Sequence, residues 1–197
     1  MRAEPVSLGA GAVLRYEAAF LSPEQASRLQ AELSERVPWQ QGELSFFGKK
    51  VLEPRLSAWF GDADYTYSGR RVAARPWLPA LLEIRDRIEL ATGSRFNSVL
   101  LNLYRDGRDS MGFHADDEPE LGPNPEIASV SLGAARRFLY RPKRRFEKQL
   151  SGGELVLSSG SLLWMGGTFQ HVFRHAVPKT AAPLGARINL TFRWVTS

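Results

Sequence analysis

The spacing of hydrophobic positions changes part-way along the chain. Before Phe96, two stretches carry hydrophobic residues at helical spacing, and after it the chain breaks into short runs punctuated by Gly and Pro. Helices followed by a run of strands are typical of the α+β class, and the strands are expected to form a sandwich or jelly roll supported by two N-terminal helices. No shift in composition marks a boundary, so residues 1–197 are expected to form one domain.

The first predicted helix begins after Ser22. Ser22 is a suitable N-cap, Pro23 suits the first helical position, and Gln25 completes a capping box. Pro38 ends the helix. The residues that share its hydrophobic face are Ala26, Leu29, Leu33 and Val37.

A second helix is predicted from Pro79, with Gly93 as its C-terminal cap. Its hydrophobic face consists of Leu81, Ile84, Ile88 and Ala91. The segment 39–76 between the helices is rich in aromatic, glycine and basic residues, which predicts loops and short strands. The later strands are predicted at Phe96–Tyr104, Ile127–Leu132, Arg137–Arg141, Glu154–Leu157, Ser161–Met165, Gln170–His175 and Arg187–Val195.

A candidate metal site centres on His114 and Asp116. Two residues apart on an extended segment, their side chains point the same way, and an imidazole with a carboxylate makes two thirds of the facial triad that binds non-haem Fe(II). The alternative is a surface loop with an acidic cluster. The chain's other histidines, His171 and His175, are the candidates for the third ligand, and alternation cannot choose between them because they share a face.

The last predicted strand has one strongly polar face, formed by Arg187, Asn189, Thr191 and Arg193. Two guanidinium groups, an amide and a hydroxyl suit a small dicarboxylate, because Arg binds carboxylates through paired hydrogen bonds. An amphipathic strand with its polar side in water is the alternative. Asn102 and Tyr104, which share a face just before His114, offer an amide and a phenol to the same ligand.

Composition narrows the classes of function. The chain has 26 Lys and Arg against 21 Asp and Glu, a net charge of +5, which fits an anionic partner without identifying one. It has no cysteine, which excludes disulfides, zinc–thiolate sites and Cys nucleophiles. No apolar run approaches a membrane span, and Val6–Leu14 is too weakly apolar for a signal peptide. A cytoplasmic monomer without membrane contact is expected.

Taken in order, these motifs resemble one family. Asn-Leu-Tyr at 102–104, His-x-Asp-x-Glu at 114–118, a distal His, and Arg-x-Asn-x-Thr-Phe-Arg at 187–193 are similar to the AlkB family of Fe(II)/2-oxoglutarate dioxygenases. The resemblance runs from about Phe46 to Trp194 and is strongest to the mammalian-type homologues that repair DNA. It implies a double-stranded β-helix core at 96–197 preceded by a helical and substrate-recognition part at 1–95.

The resemblance also implies roles for the polar residues. His114, Asp116 and His175 would bind the iron. His175 is chosen because the family's ligand is followed by one variable residue and then by a Val/Leu-Pro pair. Arg193 would bind the distal carboxylate of 2-oxoglutarate, helped by Asn102 and Tyr104. The other residues expected to line the cosubstrate pocket are Arg187, Asn189 and Thr191. O2 would be the second cosubstrate.

The implied reaction is oxidative demethylation of N-alkylated bases of the 1-methyladenine and 3-methylcytosine type in DNA. The base must be flipped out of a duplex. Tyr65, Tyr67 and Ser68 match the segment that stacks on such a base, with Tyr67 expected to form the stack. For Tyr65, a core aromatic of a hairpin is the alternative. Phe46, Phe47, Gly48 and Lys49 resemble a wedge inserted into the base stack, or else form a hairpin tip with core-facing Phe. Asp117 and Glu118 would approach the base's exocyclic amine, or else form a solvated loop.

A basic stretch downstream is a candidate for phosphate contacts, or else a charge-rich surface hairpin: Arg136, Arg137, Arg141, Lys143, Arg144, Arg145 and Lys148. Two other functions stay open. The chain could be a dioxygenase of the same family acting on RNA bases, lipids or protein side chains, or a non-catalytic nucleic-acid binding protein on the same scaffold.

Overall fold

A computed structural model describes residues 4–46, 49–67 and 70–196, and in this part of the chain antiparallel strands predominate. The first seven strands are β1 (Val6–Gly9), β2 (Ala12–Glu17), β3 (Glu43–Phe46), β4 (Lys49–Leu52), β5 (Leu56–Gly61), β6 (Tyr65–Tyr67) and β7 (Arg70–Val72). The remaining strands are β8 (Ser98–Tyr104), β9 (Met111–His114), β10 (Ile127–Gly133), β11 (Arg136–Pro142), β12 (Gly153–Leu157), β13 (Ser161–Gly167), β14 (Phe173–Val177) and β15 (Arg187–Arg193).

Both predicted helices are confirmed. Helix α1 spans Pro23–Arg36, and its capping box is complete: Gln25 N–H donates to Ser22 Oγ at 3.2 Å, and Ser22 N–H donates to Gln25 Oε1 at 3.0 Å. Helix α2 spans Pro79–Thr92 and ends at Gly93, whose φ of 80° is the left-handed conformation that glycine adopts without steric cost. A short helix α3 spans Phe169–Val172, and single 3₁₀ turns lie at Pro119–Leu121 and Arg144–Phe146.

The larger sheet carries the helices on its outer face. Its seven strands run in the order β1-β2-β13-β10-β15-β8-β5. The hydrophobic faces of α1 and α2 pack against it, with Leu33 and Ile88 in the same buried cluster as Leu101 and Leu190. Burial of these apolar faces drives the helices onto the sheet and leaves the sheet's other face to the interior of the roll.

The smaller sheet closes the roll. Its four strands run β12-β11-β14-β9, and a second hydrophobic cluster lies between the two sheets, joining Phe138 and Phe173 of the small sheet to Leu163 and Met165 of the large one. Two antiparallel sheets packed face to face around such a core make a jelly roll, as predicted. No helix in the part of the chain described is long and apolar enough to span a membrane.

The structure corrects two predictions of secondary structure. Gln170–His175 is not one strand: His171 N–H and Val172 N–H both donate to the Thr168 carbonyl, so the segment begins as α3 and becomes β14 only at Phe173. The strands β1 and β2 were not predicted. β1 pairs with β2, and β2 pairs in turn with the distant strand β13, where Tyr16 lies opposite Leu163. The pairing that joins this hairpin to the sheet leaves little local signal.

Candidate metal and cosubstrate site

Two histidines face each other between the sheets. His114 ends β9 and pairs directly with His175 on the neighbouring strand β14, so the two side chains point the same way with ring centres 4.3 Å apart. His114 Nδ1 lies 2.9 Å from the Gly112 carbonyl. Because a carbonyl only accepts, Nδ1 carries the proton, and Nε2 keeps its lone pair for a metal.

Asp116 completes the cluster. It is 3% exposed, its Oδ2 lies 3.8 Å from His175 Nε2, and its Oδ1 lies 4.0 Å from His114 Nε2. The three ligand atoms all fall within 4.8 Å of one another, close enough for one metal ion. Two imidazoles and one carboxylate on a single side are the donor set of non-haem Fe(II) sites.

The electrostatics of the cluster keep its ligands in the state that binds metal. Burial would raise the pKa of Asp116, but the nearby charges of Arg193, His114 and His175 outweigh it and lower the pKa to about 2. Burial, with the charge of His114 next, lowers the pKa of His175 to about 3. A deprotonated carboxylate and a neutral imidazole are the forms that ligate a metal.

His171 lies outside the cluster. Its Nε2 hydrogen-bonds the Pro123 carbonyl, and its ring is not among the groups that converge on Asp116. The single turn of α3 causes this, since it breaks the alternation that would have placed His171 and His175 on one face. The structure therefore brings His175, and not His171, to His114 and Asp116.

The polar face of β15 is buried and lines the same cavity as the three ligands. Arg187, Asn189, Thr191 and Arg193 are between 1% and 7% exposed. The alternative of a polar face turned to water is therefore wrong. The apolar wall opposite and around them is formed by Leu100, Met111, Phe138, Leu157, Met165, Ala176 and Val177.

Arg187 is a buried guanidinium with no carboxylate beside it in the part of the chain described. Its Nη2 donates to Ser131 Oγ at 2.8 Å and to Asn189 Oδ1 at 2.5 Å, while Nε and Nη1 are buried without a partner. Its carbon Cζ lies 5.1 Å from the centre of the Tyr104 ring. Burial lowers the pKa of Arg187, so an anion arriving at this point would relieve an unfavourable desolvation.

The expected grouping of Arg193 with Asn102 and Tyr104 is not what the structure shows. Across β15 and β8, Arg187 pairs with Tyr104 and Asn189 with Asn102, whereas Arg193 pairs with Ser98 at the other end. Arg193 Nη2 donates to Asp116 Oδ1 at 2.6 Å. The two arginines of one strand face therefore serve opposite ends of the cavity, and it is Arg187 that shares an end with Asn102 and Tyr104.

Several side chains that contact the predicted site residues were not predicted from the sequence. Asn102 Oδ1 accepts from Arg55 Nε at 3.0 Å, and Arg55 in turn pairs with buried Glu53 at 3.0 Å. Ser129 Oγ donates to Asn189 Oδ1 at 3.0 Å. Ser129 and Ser131 alternate along β10, so their shared face could have been predicted, but Arg55 gives no such signal.

The acidic pair after the metal ligand splits into two environments. Asp117 Oδ2 forms a 2.6 Å ion pair with Lys143, whereas Glu118 Oε2 is buried without a hydrogen-bond partner. Of the aromatic and wedge residues, Phe47, Gly48 and Ser68 lie outside the described residues. For Phe46, Lys49, Tyr65 and Tyr67 the structure describes only the main chain, in the antiparallel hairpins β3–β4 and β6–β7.

The basic stretch is not uniform. Arg136 is 3% exposed and donates to the carbonyls of Asp106, Asp109 and Pro178, and Arg137 pairs with Glu154 on the surface. Buried Arg136 is therefore not available for phosphate, and Arg137 already has a carboxylate partner. Arg141 is exposed and stacks on Phe113 at 3.9 Å, and it lies directly opposite exposed Arg174, which the sequence did not single out.

Together, the jelly roll and its cluster of two histidines and one aspartate define a member of the class of mononuclear non-haem iron proteins. The model of the 2OG-Fe(II) oxygenase superfamily matches residues 13–193, and the chain belongs to that family. The family's description names Fe(II) and 2-oxoglutarate, and the residues at the cluster fit such an ion because three ligand atoms converge there.

Curated relatives are similar along most of the chain. Rat alkB homolog 3, an alpha-ketoglutarate-dependent dioxygenase, is 41% identical over 89% of this chain, which spans 62% of that protein. Mouse DNA oxidative demethylase ALKBH2 is 41% identical over 86% of the chain and 74% of its own length. The solved structure of OsALKBH1, 19% identical, superposes with a TM-score of 0.64 over 96% of this chain and 99% of its own, which supports the fold.

Proposed function

We propose that the chain is an Fe(II)- and 2-oxoglutarate-dependent dioxygenase that removes methyl groups from the nitrogens of nucleobases in DNA. One observation carries the proposal: a cavity places the His114, Asp116 and His175 cluster alongside Arg187, whose guanidinium has buried N–H groups and no carboxylate partner among the described residues. A metal-ligand set beside an unsatisfied buried cation is suited to a cosubstrate that carries a carboxylate.

In this proposal His114, Asp116 and His175 bind Fe(II). When bound together with O2 and 2-oxoglutarate, the ion supplies the oxidising chemistry that hydroxylates the methyl group, and the cosubstrate leaves as succinate and CO2. The hydroxymethyl product loses formaldehyde and releases the repaired base. The chain's own contribution is to orient the groups and to exclude water, which the apolar wall around Phe138 and Met165 does.

The cosubstrate is oriented by the polar face of β15. Arg187 is assigned the distal carboxylate, because its Nε and Nη1 are buried and unsatisfied and would form the paired hydrogen bonds that a carboxylate accepts. On β8, Tyr104 lies opposite Arg187 and Asn102 lies opposite Asn189, and both supply neighbouring polar groups. Arg193 is assigned to Asp116, which it already binds. Asn189 and Thr191 link the two ends, since Asn189 Nδ2 donates to Thr191 Oγ1 at 2.7 Å.

The substrate side of the proposal rests on the recognition part at 1–95 and on the acidic pair. Hairpins β3–β4 and β6–β7 carry the aromatic residues proposed to wedge into the stack and to sandwich the flipped base. Glu118 is favoured over Asp117 for the base's exocyclic amine, because Lys143 already occupies the Asp117 carboxylate while Glu118 has an unsatisfied oxygen.

Single-stranded and duplex DNA are the proposed partners. The name of the mouse relative, DNA oxidative demethylase, supports DNA, and the exposed arginines 141 and 174 near His175 support a polyanion. RNA is the alternative substrate, and release of formaldehyde from an RNA oligonucleotide alone would favour it.

The test is formaldehyde release from oligonucleotides that contain one 1-methyladenine or 3-methylcytosine. Identical sequences are compared as single-stranded DNA, duplex DNA and RNA, with and without Fe(II) and 2-oxoglutarate. We expect release from DNA that requires both, and none from the His114→Ala variant. The wild-type protein could turn over 2-oxoglutarate but release no formaldehyde from any of the three nucleic acids. That result would contradict a nucleobase substrate and leave the dioxygenase activity supported.

A further inference from the structure

A buried amide lies directly behind the metal carboxylate. Gln170 is fully buried, and its Oε1 accepts the main-chain N–H of Asp116 at 3.0 Å although the two residues are 54 positions apart. Asp116 follows the end of β9 at His114, and in the part of the chain described no main-chain carbonyl accepts from its N–H. The side chain of Gln170 therefore supplies the acceptor that a carbonyl of a neighbouring strand supplies within a sheet.

The orientation of this amide is determined by its surroundings. The amide has two polar neighbours. Its Nε2 lies 3.7 Å from the sulfur of Met165, a weak acceptor, and its oxygen faces the main-chain N–H of Asp116, a strong donor. Turning the amide over would place two N–H groups against each other in a buried position. The cost of such a buried, unsatisfied contact keeps the oxygen on Asp116.

Two hydrogen bonds then locate the Asp116 carboxylate. Gln170 holds its main chain, Arg193 holds Oδ1 at 2.6 Å, and Oδ2 is left 3.8 Å from His175 Nε2. Gln170 also belongs to α3, which leads directly into β14 and His175. One side chain thus connects the segment of the first two proposed ligands to the segment of the third.

We infer that Gln170 is a positioning residue for the metal site, acting through the main chain of Asp116 to present Oδ2 to the ion. The inference rests on the proposed metal ligands. Partners that orient ligands in this way typically change metal affinity about 10- to 100-fold when they are removed. The expected effect is a weaker and differently shaped site in a protein that still folds.

The experiment titrates the metal-free protein with Co(II) and records its visible spectrum, together with the thermal midpoint before metal is added. Gln170→Met keeps the length and removes the acceptor, whereas Gln170→Glu keeps an acceptor oxygen whether or not it is protonated. Thr168→Val is the matched control, because Thr168 precedes the same helix and its hydroxyl donates to the Ala10 carbonyl, away from the site.

We expect Gln170→Met to bind Co(II) about 10- to 100-fold more weakly with an altered spectrum, Gln170→Glu to recover most of the affinity, and Thr168→Val to lose stability alone. If Gln170→Met does not fold, Gln170→Asn, whose shorter side chain cannot reach Asp116, replaces it. Equal affinity and spectrum in wild type and Gln170→Met overturn the inference, as does an equal loss in Thr168→Val. Failure of the wild-type protein to bind Co(II) instead overturns the proposed metal site itself.

Discussion

Arg187 and Tyr104 lie directly opposite each other on β15 and β8, with the guanidinium carbon 5.1 Å from the ring centre. This pair closes the end of the cavity away from Asp116. A cation over an aromatic face is stabilised by the ring quadrupole, but that gain does not replace a carboxylate for a fully desolvated guanidinium. The end of the cavity is therefore prepared for an anion.

Replacing Arg187 by Met should weaken 2-oxoglutarate binding without lowering the stability of the ligand-free protein. Two charge-assisted hydrogen bonds, from Nε and Nη1, are lost, each contributing about 1.5–3 kcal/mol, so the KM for 2-oxoglutarate should rise at least about 100-fold. Removing a buried, unpaired charge should leave the thermal midpoint of the ligand-free protein unchanged or higher. Succinate formation and a melting curve measure the two effects.

Arg137→Met is the matched control for that experiment, because Arg137 pairs with Glu154 on the surface and lies outside the cavity. Its KM should stay at the wild-type value. An unchanged KM in Arg187→Met would show that the distal carboxylate is bound elsewhere, with Arg193 the next candidate.

Arg193 should behave in the opposite way. It forms a buried ion pair with Asp116 at 2.6 Å, and removing one partner of such a pair typically costs about 3–5 kcal/mol because the other charge stays buried. Arg193→Met should therefore lower the thermal midpoint of the metal-free protein and change Mn(II) affinity in a titration. The variant could instead melt and bind Mn(II) like wild type, with only the KM for 2-oxoglutarate raised. That result would show that Arg193 binds the carboxylate of 2-oxoglutarate.

The contrast between these two arginines shows how far the sequence leads. Alternation placed Arg187, Asn189, Thr191 and Arg193 on one face, and the structure confirms that they share the cavity. Alternation could not show which residues lie at which end of the cavity. That depends on the register between β15 and β8 and on the position of Asp116, which comes from the segment after β9 in the other sheet. A strand's own pattern contains neither.

Residues that act through distant partners escaped prediction for the same reason. Gln170 meets Asp116 across 54 positions and Arg55 meets Asn102 across 47. By contrast, the caps of α1 and α2 depend on neighbours within four residues, and those predictions were confirmed. His171 falls between these cases, since a single turn of helix removed it from the face it was expected to share with His175.

Acid should loosen the loop that joins β8 to β9. Asp109 accepts three hydrogen bonds from Arg105, at 2.9, 2.7 and 2.9 Å, and this interaction lowers the pKa of Asp109. A carboxyl whose pKa is lowered on folding contributes stability above its ordinary value of 3.8, and that stability is lost as the pH falls through the lower, folded value. The unfolding free energy of the wild-type protein should therefore decrease as the pH is lowered below about 4.

Asp109→Asn should flatten this part of the stability curve, as measured by denaturant unfolding at a series of pH values. Asp106→Asn is the matched control: Asp106 forms an analogous pair with Arg108, but this pair is exposed and screened by solvent, so the curve should change less. Equal flattening in both variants would show that burial of Asp109 does not set the effect.

The outer face of the small sheet should bind the nucleic-acid backbone through Arg141 and Arg174. The two residues are direct cross-strand partners, and like charges placed opposite each other destabilise a sheet, so an anion between or above them would be favourable. No carboxylate among the described residues forms an ion pair with either one. Arg141 is also held in place by the Phe113 ring, which reduces the entropy lost on binding.

Arg141→Ala combined with Arg174→Ala should weaken binding of unmethylated DNA and flatten its salt dependence. Each lost phosphate contact reduces the slope of log K against log salt by roughly 0.7 for a single strand and about 0.9 for a duplex. Arg137→Ala provides the comparison, because it removes one positive charge from the strand that carries Arg141, at a position where Glu154 already forms an ion pair. Fluorescence anisotropy from low to moderate salt gives the slopes. If the double variant keeps the wild-type slope, the DNA phosphates contact another surface of the protein, and Arg141 and Arg174 do not bind them.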